Sequence, residues 1–117
     1  MAELDRVIHE QARLLIVTLL TTVEEADFLY LLKATELTKG NLSTHLAKLE
    51  DAGYVEIEKA FRGKIPLTLA RLTPEGRAAF KTYRKEMTAL LKAPKRIRAS
   101  VTRPIAVPQR AAVPQKA

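Results

Sequence analysis

Beyond Gly53 the apolar residues of this chain stop recurring every three or four positions and begin to alternate. That switch restricts the fold to helices around one small antiparallel element. Upstream, Leu4, Val7, Ile8, Ala12, Leu15, Ile16 and Leu19 share one helical face and predict a first helix over residues 4–20. The polar stretch 21–26 interrupts it, and Asp27 is placed to cap a short second helix through Phe28, Leu29, Leu31 and Leu32. Thr38 offers its hydroxyl to the start of a third helix, in which Leu42, Leu46 and Leu49 form one stripe before Gly53 ends it. Gly40 lies in the first turn of that helix, where poor helix propensity costs least and the missing side chain permits close approach.

Past the stop, Val55 and Ile57 alternate with Glu56 and Glu58, and residues 67–72 supply a matching strand. The residues between, from Lys59 to Pro66, predict a loop with Gly63 near its tip and Pro66 ending the pairing. Thr73-Pro74-Glu75 then combines a capping hydroxyl, a proline suited to the first helical position and an acid near the positive end of the helix dipole. A last helix should reach about residue 91, ahead of Pro94. The expected class is mainly α with a small β-hairpin.

At 117 residues there is room for one domain and an appendage, which excludes a two-domain enzyme with a large cleft. With no Cys there is no disulfide framework, thiolate metal site or cysteine nucleophile, and His9 and His45 alone do not make a metal site. No nucleophile–base set or phosphate-cradling glycine loop appears, so no enzyme, cofactor or metal is expected. The apolar run broken at Thr18 is far below the ~20 residues that cross a bilayer, and the acidic N-terminus does not read as a secretory signal. No membrane partner and a cytoplasmic location are the expectation.

The net charge of +7 is unevenly placed. Residues 1–92 carry 14 basic and 13 acidic groups, whereas 93–117 carry six basic groups and no acid. Within the first part, residues 1–37 are net −4 and residues 38–92 net +5, so one side suits a polyanion. The division predicts a folded domain over 1–92 and a basic Pro/Ala-rich disordered tail over 93–117.

Three helices, a hairpin and a further helix is the order of a winged helix-turn-helix. The residues carry a resemblance as well. The run from Leu37 through Thr38-Lys39-Gly40-Asn41-Leu42-Ser43-Thr44-His45-Leu46 to Tyr54-Val55 is similar to the recognition helix and the turn into the wing of MarR/ArsR-like bacterial regulators, particularly the small winged helix DNA-binding domain group. Ala12-Arg13-Leu14 and Leu72-Thr73-Pro74-Glu75-Gly76-Arg77 support it, and the likeness covers residues 4–91.

With Leu42, Leu46 and Leu49 inward, the polar residues of the third helix face out, with chemistry suited to base edges and phosphates. Thr38, Lys39, Asn41, Ser43, Thr44 and Lys48 are the candidates there, and Arg62 and Lys64 are the candidates at the wing tip. His45 lies between the two faces; the resemblance implies a phosphate contact, and a half-buried histidine bonded to backbone is the alternative. Ile65, Leu67 and Ala70 stand where relatives often carry basic or aromatic residues, which weakens the expected contribution of the wing. His9 is expected on the surface of the first helix.

Phe80, Tyr83, Met87 and Leu90 follow the spacing of a helix seam. Relatives pair through their terminal helices, so these residues with Leu4, Val7 and Ile8 are the expected interface of a homodimer, packing within one chain being the alternative. The function implied is sequence-specific binding of double-stranded DNA at an inverted-repeat operator. A winged helix used as a protein–protein interaction module, or a nonspecific DNA coat acting through the tail, are the rival readings.

Overall fold

The structure is a computed structural model and describes residues 4–92, so the expected tail at 93–117 lies outside the described residues. The elements are α1 (Gln11–Thr21), β1 (Ala26–Asp27), α2 (Phe28–Thr35), α3 (Lys39–Asp51), β2 (Val55–Arg62), β3 (Ile65–Leu72) and α4 (Pro74–Leu91). The chain divides into two units, Met1–Met87 and Thr88–Ala117. In the second, the described residues are the end of α4 and Lys92.

Helix α1 begins seven residues later than its apolar spacing suggests. Asp5 is the reason: its Oδ1 accepts the N–H groups of Val7 and Ile8, and its carbonyl accepts that of His9 at 2.7 Å. This local turn competes successfully with helix for the same backbone donors. Glu10 then caps the helix from an extended backbone, its carboxylate accepting the N–H of Arg13 at 2.9 Å. The buried face of α1 is Ile16, Val17 and Leu20, and Leu15, expected inside, points out.

The other caps follow the expectation. Asp27 accepts from Tyr30 N–H and Thr38 from Asn41 N–H. Between α2 and α3 the chain turns at Glu36, in the left-handed region at φ 60°, with its N–H on the carbonyl of Leu32. Helix α3 ends in a Schellman motif: Gly53 at φ 81° donates to Glu50 and Tyr54 to Leu49, both at 2.9 Å.

The hairpin is longer than expected and its turn shorter. Arg62 pairs with Ile65, leaving only Gly63 and Lys64 in the turn. Gly63 has φ 64° and Lys64 a negative φ, the pattern of a two-residue turn that needs glycine first. Pro66 does not end the pairing. It sits opposite Phe61, at the position next to the closing pair, where the nitrogen of a β3 residue faces away from β2 and no ladder bond is lost.

A third strand was not foreseen. Ala26 and Asp27 pair with Ala70 and Leu69, giving a sheet of order β1-β3-β2. Two residues are too few to carry an alternating pattern. The core lies where this sheet meets the helices: Ile16, Val17, Leu20, Leu31, Leu42, Leu46 and Leu49 pack against Val55, Ala70 and Leu72.

Helix α4 starts as read. Thr73 Oγ1 accepts the N–H of Gly76 at 2.9 Å and donates to the carbonyl of Gly53 at 2.6 Å, tying the helix start to the end of α3. At Gly76 a side chain is excluded, since a Cβ would lie 2.1 Å from the carbonyl oxygen of Tyr54.

Candidate nucleic-acid interface

Burial of Leu42, Leu46 and Leu49 fixes the rotation of α3 and leaves Thr38, Lys39, Asn41, Ser43, Thr44 and Lys48 exposed. These six candidates therefore share the outer side of one helix. Gly40 lies among them with nothing within 4 Å of where its Cβ would be, so among the described residues no neighbour accounts for a glycine at this position.

His45 turns inward. Its Nδ1 accepts from Arg13 Nη1 at 3.1 Å, which fixes Nδ1 as unprotonated because a guanidinium can only donate. Glu10 Oε1 lies 3.7 Å from the same nitrogen, too far for a hydrogen bond, and the Arg13 contact decides the arrangement. Arg13 also donates through Nε to the carbonyl of Val7 at 2.7 Å. His45 thus braces α3 against the start of α1, half-buried as the structural alternative had it but bonded to the Arg13 side chain rather than to backbone. The N–H of Arg13 above all, then the N–H of Ala12 and the charge of Arg13, holds the Glu10 carboxyl below its ordinary range.

Arg62 and Lys64 are exposed at the wing, Lys64 within the turn and Arg62 at its edge. One face of the hairpin carries Ile57, Lys59 and Phe61, opposite Ala70, Thr68 and Pro66. Ile57, Lys59 and Thr68, with Phe28 and with Ser43, Leu46, Ala47 and Glu50 of α3, line a shallow cleft of about 330 Å³. This face of the wing is therefore the one turned to α3.

The other face is acidic at its base. Arg71 binds Glu25 at 2.9 Å and Glu56 at 3.2 Å and also pairs closely with Glu58, so both wing glutamates are held by one cation. Glu58 first, then Glu25 and Glu56, raise the Arg71 pKa further above its already high value. The residue was not singled out in the sequence, although alternation puts Glu56 and Glu58 on one side of β2, where a cation from the neighbouring strand would meet both.

A second missed pair anchors the turn before α1. Tyr54 donates its hydroxyl to Asp5 Oδ2 at 2.5 Å, and that bond, with burial, pushes the phenol up to about 12. Only the fold brings these two together, 49 positions apart.

Several residues expected at a dimer seam are taken up by the chain's own packing. Ile8 is fully buried and Tyr83 nearly so, and Tyr83 Oη lies 2.8 Å from His9 Nδ1. His9 is exposed, as expected, but in the turn before α1 rather than on a helix. Val7 and Phe80 pack on the core cluster, Phe80 also stacking with Tyr83 at 6.5 Å between ring centres. Leu4 and Met87 are half-buried, and Leu90 is exposed with its neighbour Leu91.

A family model described as a winged helix DNA-binding domain matches residues 12–91. The chain belongs to that family. Among curated proteins, the uncharacterized protein MJ0432 of Methanocaldococcus jannaschii is 39% identical over 88 residues, which cover 74% of this chain and 95% of the relative. Among solved structures, the transcriptional regulator homologue from Pyrococcus horikoshii OT3 is 27% identical with a TM-score of 0.72, covering 75% of this chain and 87% of its own. A MarR-family protein from Enterococcus faecalis V583 shares the fold at 21% identity and a TM-score of 0.61, over 83% of this chain and 84% of its own. The winged-helix domain thus sits among transcriptional regulators. In its terms the β2–β3 hairpin is the wing. No described helix is long and apolar enough to cross a membrane.

Proposed function

We propose that this chain is a sequence-specific regulator of transcription that binds double-stranded DNA, with α3 in the major groove and the hairpin alongside. One observation carries the reading. The outer side of α3 holds two lysines, an asparagine and three hydroxyl side chains, all solvent-exposed, and none of the six is part of the core. Asn can bond an adenine edge in two places, Lys can donate to guanine or phosphate, and the hydroxyls can serve either. Arg62 and Lys64 at the wing add two cations for the neighbouring backbone. His45 acts in this reading as a brace for the helix, through its bond with Arg13.

The activity proposed is binding, without catalysis, in the cytoplasm. Two copies related by a twofold axis would present two α3 helices to successive major grooves. The operator is then an inverted repeat with half-site centres about 10 bp apart. Since Ile8 and Tyr83 are buried at home, the pairing surface falls to the exposed end of α4 at Leu90 and Leu91.

Selection of duplexes from a random pool by the purified protein tests this. The expected product is one motif with twofold symmetry, retained against excess random DNA. Recovery of sequences without a shared motif would refute sequence-specific recognition.

A further inference from the structure

The distal half of the wing combines two features that water does not favour together. Phe61 is 71% exposed and Ile65 64% exposed, on opposite faces of a hairpin that narrows to a two-residue turn. Around them stand Lys59, Arg62 and Lys64, and no acid occurs from Lys59 to Ala70. The carboxylates of the hairpin are gathered at its base, on Arg71.

An apolar tip among cations complements a surface that is anionic outside and apolar within. Duplex DNA has that character, with phosphates lining each groove and stacked bases between. A single side chain projecting from the tip, rather than the ribbon itself, suits the minor groove, about 6 Å wide, where proteins insert apolar side chains between base steps. Phe61 also has the placement for it. It extends the hairpin face that carries Ile57 and Lys59 against α3, and Pro66 stands directly opposite, its ring holding the backbone behind the aromatic side chain at a fixed φ.

We propose that Phe61 is a wedge that enters a base step of the minor groove next to the α3 site, with Arg62 and Lys64 on the flanking phosphates. The inference rests on the DNA-binding reading and adds to it a distortion of the duplex at the wing. Flexible pyrimidine–purine steps at that position bind best, because they unstack at least cost.

The test uses the full chain and a 30-bp duplex recovered from the random pool, with 2-aminopurine placed in turn through the segment outside each half-site. Wild-type protein raises the fluorescence at one position, where the base is unstacked. Phe61→Ala removes that rise and weakens binding by about 5- to 150-fold, the range for loss of an aromatic–base stack. Phe61→Leu keeps most of both. The melting temperature of each free variant is unchanged because the side chain is exposed. Arg62→Ala with Lys64→Ala lowers the salt slope by about 1.8 and leaves the fluorescence rise in place. Wild-type binding without any fluorescence change, or Phe61→Ala binding as tightly as wild type, overturns the wedge and leaves α3 recognition standing. Loss of self-association in Phe61→Ala, seen by ultracentrifugation without loss of DNA affinity, assigns the tip to a second copy and also overturns it. If the pool yields no bound duplex, the wedge falls together with the DNA-binding reading.

Discussion

Gly76 and Tyr54 show how single residues set the junction on which the domain turns. The carbonyl of Tyr54 accepts the N–H of Thr73 at 3.0 Å and lies where a Cβ of residue 76 would be. Backbone cannot yield as a flexible side chain can, so Gly76→Ala is expected to lower stability by about 3 kcal/mol, read from urea unfolding. The hydroxyl of Tyr54 makes the second tie, to Asp5. Its pKa rises from 10.0 to about 12 on folding, so the unfolded chain ionises first as the pH is raised. The stability that this bond contributes is present below pH 10 and is lost as the pH climbs through 12. Unfolding followed from pH 8 to 12 should therefore show a steeper loss in wild type than in Tyr54→Phe. Parallel curves would leave the Asp5 bond without energetic weight.

The elements were legible where local chemistry and burial agree. Helix α3 could be read from the Thr38 cap, the leucine stripe and the Gly53 stop, and α4 from Thr73-Pro74-Glu75, because each signal acts within one turn. The start of α1 could not. Its apolar spacing runs on through residue 4, but Asp5 captures the backbone donors that a helix would need. Strand β1 was illegible for another reason, since its two residues become a strand only through β3. The polar side of α3 followed from the pattern; the inward turn of His45 depends on Arg13, 32 positions away, and no spacing reveals it.

Gly40 poses a question at this scale. None of the described residues occupies the space its Cβ would fill, and alanine is the better helix former there. Gly40→Ala should raise stability by roughly 0.5 kcal/mol in thermal unfolding. The same variant should bind DNA less well if the glycine exists to let a phosphate approach the start of α3. Gain of stability with unchanged affinity would mean that no close approach occurs.

For the whole molecule, the distribution of charge and burial points in one direction. Acids gather around Arg71 at the base of the wing, while lysines occupy α3 and the wing tip. The core consumes Ile8 and Tyr83, and Leu90 and Leu91 are exposed.

The central claim is that α3 meets DNA through its outer side, and fluorescence anisotropy on a labelled duplex tests it most directly. Wild-type protein is compared with the double variant Lys39→Ala/Lys48→Ala, both lysines being exposed and outside the core. The expected result is tight binding by wild type and a loss of at least about tenfold in the variant, with the circular dichroism spectrum and melting temperature unchanged. Equal affinity of the two proteins, or no binding by a folded wild type at low salt, would contradict it.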